Sequence, residues 1–149
     1  MSGTICVDAS VAVKWLFEEA DTDRAERLRS DAARTGDALI GPPLLQAEIT
    51  SAVYKRYQSR EIPMNEAAAA LTVIRELRLM AVLPPRLPQL AFEIAVQFEL
   101  KWVYDAFYVA LAEIVGCELW TADAQLHRAV RAQHRNVRLL SEYTPRSTS

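Results

Sequence analysis

Apolar positions along this chain recur with two periods. Short runs rich in β-formers read as strands: Thr4-Ile5-Cys6-Val7, Leu39-Ile40, Ala81-Val82-Leu83, Glu118-Leu119-Trp120-Thr121 and Val137-Arg138-Leu139-Leu140. Between them the pattern turns helical. Ser10 is placed to cap a helix over 10–18, and Asp23 and Glu26 have capping-box spacing in a helix over 21–34. Gly41-Pro42-Pro43 breaks the chain before a helix over 44–57, and Asn65 is placed to cap the next, over 65–79. Pro88 opens a helix over 88–98, and Gly116 stops one over 104–115 as a C-terminal glycine. A basic helix over 124–135 precedes the last strand.

Strands alternating with helices predict an α/β fold, a mainly parallel central sheet of four to five strands with helices on both faces. The length, 149 residues, suits one domain. It is expected over 1–141, with a polar tail over 142–149 whose last residues, from Pro145, fray.

Composition narrows the function classes only slightly. With 51% hydrophobic and 24% charged residues the chain reads as an ordinary globular protein. It has no uncharged apolar run near the roughly 18 residues of a membrane span. Its start, Met1-Ser2-Gly3-Thr4, lacks the basic opening of a secretory signal, so a cytoplasmic protein is expected. Cys6 and Cys117 form no disulfide framework or zinc signature and read as small core residues. His127 and His134 lie two helical turns apart, too far to chelate as a pair. The net charge of −2 does not exclude nucleic acid, because acids gathered around metal ions would leave the remaining surface basic.

Four acids stand where solubility alone does not require them. Asp8 closes the first strand and Asp123 follows a later one, and ligands of open parallel sheets bind beyond such strand ends. Either aspartate also suits a helix cap. Glu48 shares a helical face with Leu44, Leu45 and Ala52, a face that must meet the core. Asp105 lies in a helix where Glu113 is the only other charge between Val103 and Val115, and it shares its face with Tyr108, Val109 and Ala112. A carboxylate there is costly unless it is paired or holds a metal. Lys14, Lys101 and Arg56 are the cations that would pair with these acids if they are ordinary buried salt bridges. The other solution is a divalent ion, and an all-carboxylate set without Cys or His selects magnesium or manganese over zinc. Such ions bind phosphodiesters and activate water. No P-loop and no Ser-His-Asp arrangement competes with that reading.

Three stretches carry a resemblance: VDASVAVKWLFEE from Val7, GPPLLQAEITSAVYK from Gly41 and YDAFYVALAEIVGCELWTADAQL from Tyr104. In this order, over nearly the whole chain, the sequence resembles the PIN-domain nucleases, and within them the VapC-type toxins of bacterial toxin–antitoxin pairs. The resemblance implies a PIN-like three-layer sandwich. It implies a magnesium-dependent endoribonuclease, with manganese a plausible substitute, in which Asp8, Glu48, Asp105 and Asp123 hold metal and Ser10 and Thr121 support them. It also implies an RNA substrate, a cognate VapB-type antitoxin and a homodimer. Many family members carry a further acid soon after the position of Asp123, where this chain has Gln125. Lys14, Arg128 and Arg131, with Arg135 and Arg138 continuing the basic run, are candidate RNA contacts beside the plainer reading of a solvated face. Trp15 and Trp102 are read as core, with a contact role as the alternative. A housekeeping PIN nuclease of RNA maturation and a catalytically silent PIN-like module remain as other readings.

Overall fold

A computed structural model describes residues 3–145. Met1, Ser2 and 146–149, including most of the expected frayed tail, lie outside the described residues. The elements are strand β1 (Thr4–Val7), helix α1 (Ala9–Ala12) continued by a 3-10 turn (Val13–Trp15), α2 (Thr22–Thr35), β2 (Ala38–Gly41), α3 (Leu44–Gln58), α4 (Met64–Glu76), β3 (Met80–Ala81), α5 (Leu87–Gln97), α6 (Val103–Val115), β4 (Glu118–Thr121), α7 (Ala124–Val130) and β5 (Val137–Leu139). A final 3-10 turn, Leu140–Glu142, leads to Tyr143, which is buried.

The sheet has five strands in the order β3-β2-β1-β4-β5, every neighbouring pair parallel. This is the α/β architecture expected from the alternation. Ile5, Cys6 and Val7 of β1 are all buried. Successive side chains of a strand point to opposite faces, so both faces of the centre are covered. The chain builds outward from β1 through β2 to β3, then crosses back to place β4 on the other side of β1. That reversal opens a crevice beyond the carboxyl ends of β1 and β4.

Local chemistry explains most departures from the predicted elements. The first helix is shorter than 10–18, and its cap is Asp8, whose side chain accepts from Val11 N. Ser10 is inside that helix and spends its hydroxyl elsewhere. No capping box forms at α2: Asp21 precedes the helix with φ 62° and no side-chain cap bond, while Glu26 pairs with Arg29. Pro63, not Asn65, precedes α4, and that helix ends at Glu76. The third strand is Met80–Ala81, on the sheet edge. The basic helix α7 stops at Val130, after which residues 131–136 turn into β5.

Gly116 caps α6 with φ 79°, the left-handed conformation that favours glycine. Gly41 serves a different need. A Cβ there would stand 2.5 Å from Leu45 Cδ2 and 3.2 Å from Leu45 Cβ, so its bare backbone lets α3 start close against the end of β2. Of the cysteines, Cys6 is buried and Cys117 half-buried, and both are free thiols. Trp15 is core, with its indole N–H donating to Ala25 O at 2.7 Å. Trp102, read from sequence as core, is instead 56% exposed, because it sits at the N-cap of α6, where the helix has not yet turned onto the sheet.

Candidate active site

Asp8 is the fixed point of the crevice. It is the first residue beyond β1, and its backbone N–H still pairs with Trp120 O of β4 at 3.3 Å. Its carboxylate is buried and held by two hydroxyls: Ser10 Oγ donates to Oδ1 at 2.5 Å and Thr121 Oγ1 donates to Oδ2 at 2.5 Å. Each hydroxyl in turn accepts a backbone N–H from the turn after β4. Ala122 N reaches Ser10 Oγ at 2.8 Å, and Asp123 N reaches Thr121 Oγ1 at 3.0 Å. An ionised carboxylate can only accept, so both hydroxyls donate to Asp8 while their lone pairs take the two N–H groups. The ends of β1 and β4 are thus joined through one carboxylate.

Asp123 takes the cap role that its sequence position allowed. Its Oδ1 caps α7, accepting from Gln125 N at 2.9 Å and Leu126 N at 3.1 Å. That bonding fixes the side chain at the rim and leaves Oδ2 with no protein donor among the described residues. Glu48 comes from α3. The fully buried stripe of that helix is Leu45, Ile49 and Val53, and Glu48 lies half-buried beside it, facing the crevice rather than the core itself. Its Oε1 accepts the Tyr108 hydroxyl at 2.6 Å.

Asp105 enters from the first turn of α6. It is half-buried, and among the described residues it has neither a hydrogen-bond donor nor an ion-pair partner. Burial, then the nearby charges of Asp123 and Glu48, push its carboxyl up to about 6. Asp8 is also pushed up to about 6, chiefly by burial and slightly by Asp105, against the lowering effect of its hydroxyl and N–H donors. Asp105 therefore senses all three other acids. Burial and Glu48 hold the Tyr108 phenol far above its ordinary range, so it remains a donor.

The salt-bridge alternative finds no partners among the described residues. Lys14 pairs with Glu19 at 3.4 Å, and Arg56 pairs with Glu19 and lies 4.3 Å over the Phe17 ring. Lys101 lies 5.5 Å from the centre of the Trp102 ring. Among the described residues no lysine, arginine or histidine forms an ion pair with any of the four acids. Nor does any group of three His, Cys, Asp or Glu side chains among them close to metal-binding geometry as it stands. The donor chemistry fits a hard divalent ion: oxygen only, four acids, and no competing cation among the described residues.

Lys14 is buried in its ion pair, which removes it from the surface available to phosphate. Arg128, Arg131 and Arg135 are exposed, whereas Arg138 pairs with Glu118 at 3.1 Å. Sequence reasoning placed Tyr108 on the same face as Asp105 but gave it no part in the site. The signal was there: a tyrosine on a buried face needs a partner for its hydroxyl, and Glu48 is that partner.

Comparison with known proteins gives a consistent picture. A family model described as PIN domain matches residues 5–132. Ribonuclease VapC3 of Mycobacterium tuberculosis is 32% identical over 130 residues, which cover 87% of this chain and 90% of that protein. Ribonuclease VapC9 of the same organism is 31% identical over 132 residues, covering 87% and 93%. The crystal structure of PAE2754 from Pyrobaculum aerophilum matches with a TM-score of 0.64 at 24% identity, over 95% of this chain and 93% of that one, a likeness of fold.

Proposed function

This chain belongs to the PIN-domain family, in its VapC-type branch, and from that premise we propose that it is a magnesium-dependent endoribonuclease, the toxin of a toxin–antitoxin pair. The observation that carries the reading is Asp105, a half-buried carboxylate that the charges of the other three acids reach, with no cation paired to it among the described residues. The ribonuclease names of the relatives support RNA as the substrate.

In this reading Asp8, Glu48, Asp105 and Asp123 hold the ion, with manganese able to replace magnesium. A bound divalent cation supplies the positive charge that lets a phosphodiester enter an acidic crevice and be attacked by water. The protein's own share is position. Ser10 and Thr121 lock Asp8 against rotation, the α7 cap fixes Asp123, and Tyr108 holds one oxygen of Glu48. Hydrolysis forms one bond from water oxygen to phosphorus and breaks one from phosphorus to a ribose oxygen. Arg128 and Arg131, exposed on and after α7, are the candidate contacts for phosphates farther along the RNA.

A VapB-type antitoxin and a second copy of the chain are the proposed protein partners. Phe92 and Val96, one turn apart on α5, are 65% and 62% exposed, apolar surface of the kind a partner covers. Action in the cytoplasm is proposed as well; among the described residues no helix is long and apolar enough to cross a membrane. The test is cleavage of cellular RNA by antitoxin-free protein in magnesium, manganese and chelator, beside Asp8→Asn and Asp105→Asn. Cleavage that needs metal and disappears in both variants supports the proposal. Absence of both cleavage and metal binding overturns it in favour of a silent binding module.

A further inference from the structure

We infer that Tyr108 is a positioning residue that aims Glu48 into the crevice through the hydrogen bond between its hydroxyl and Glu48 Oε1, 2.6 Å long and bridging α6 to α3. The inference rests on the proposed metal-holding role of Glu48.

Asp105 and Tyr108 lie three residues apart on α6, so one helical face carries both. The first presents a negative charge to Glu48, and the second presents a donor to it. Without the donor, Glu48 would be a half-buried, long side chain beside a like charge, and repulsion would turn it toward water. With the donor, Oε1 is tied and Oε2 is left without a protein partner among the described residues.

Tyr108 suits this role because its ring is buried. It is 2% exposed, packed between sheet and helices, with the strand residue Cys6 against its backbone carbonyl at 4.0 Å. A rigid donor fixes a flexible acceptor, whereas a surface donor would move with it. Among the described residues the hydroxyl has no other partner, so the bond to Glu48 also satisfies a phenol that burial would otherwise leave unpaired. Removing a group that orients a metal ligand typically weakens binding by about 10–100-fold.

The experiment is calorimetric titration of Mn²⁺ alone into the full chain. It compares wild type, Tyr108→Phe, Glu48→Gln and the double variant, with melting temperatures recorded in chelator and in Mn²⁺. The phenyl ring preserves packing, so Tyr108→Phe is expected to fold. It should bind Mn²⁺ about tenfold or more weakly, and its melting temperature should rise less on adding Mn²⁺ than that of wild type. The double variant should bind no more weakly than Glu48→Gln, because the donor acts only through that carboxylate. Wild-type affinity in Tyr108→Phe, or a loss that adds in full to that of Glu48→Gln, overturns the inference and leaves the site intact. A purely structural tyrosine would lower both melting temperatures equally. Wild type that fails to bind Mn²⁺ overturns the metal site and this inference together.

Discussion

Thr121 donates its hydroxyl to Asp8 across 113 positions of sequence, at 2.5 Å and out of contact with solvent. Ser10 does the same from two residues away, so each oxygen of this carboxylate has its own hydroxyl. Thr121→Val keeps the shape of the side chain and removes the donor, leaving a buried carboxylate less well satisfied. Urea unfolding in chelator at neutral pH should show a loss of about 1–3 kcal/mol. RNA cleavage should fall by about 10–100-fold. Full activity in Thr121→Val would mean that Asp8 is held well enough by Ser10 alone.

Asp105→Asn separates repulsion from pairing. In chelator the variant should melt at or above the wild-type temperature, because it removes one of several mutually repelling charges. In magnesium the wild type should gain more than the variant, through the linkage of binding to folding. A variant that melts well below wild type in chelator would place Asp105 in a stabilising ion pair.

The same two acids set a pH dependence. Asp8 and Asp105 have carboxyls near 6 in the folded protein, against an ordinary value of 3.8. Raised values mean that the folded state favours their protonated forms. The stability they contribute is complete below 3.8 and is lost as pH rises through about 6. Metal-free wild type should therefore lose more stability between about pH 4 and about pH 7 than Asp105→Asn does. Denaturant midpoints at the two pH values measure the difference, and equal losses would remove Asp105 from the effect.

Two basic groups should separate cleanly. Arg131→Ala is expected to weaken binding of single-stranded RNA and to reduce the salt slope by about 0.7 for each phosphate no longer neutralised, with melting unchanged. Lys14→Met removes the buried partner of Glu19, so it should lower the melting temperature with no change in salt slope. A changed salt slope in Lys14→Met would return that lysine to the RNA surface. The readouts are fluorescence anisotropy at several salt concentrations and thermal unfolding.

Much of the fold was legible in the chain itself, and so was the oddity of Asp8 and Asp105 as acids in their places. Alternating periods of about 2 and 3.6 residues announce strands and helices, because side-chain direction along each element is fixed locally. Asp105 could be singled out because an acid in a nearly uncharged helix conflicts with burial, whatever lies around it. Asp8 could be singled out because strand ends of parallel sheets face the crevice. Cap assignments were less secure, since Asp8, Ser10 and Asp123 can each bond locally or across the fold, and local sequence does not choose between those options. The fate of Lys14 and Arg56 was not legible, because both are claimed by Glu19, which lies in the turn between α1 and α2. Trp102 reads as core by type, and only its place at a helix start leaves it outside. The hydroxyl of Tyr108 belongs to the same class: its helix face was predictable, but its acceptor lies 60 residues away. Sequence determined the order and type of most elements and which acids are chemically out of place within them. Tertiary structure decided how those are paired, because long-range contacts depend on how elements pack, and no local periodicity encodes that.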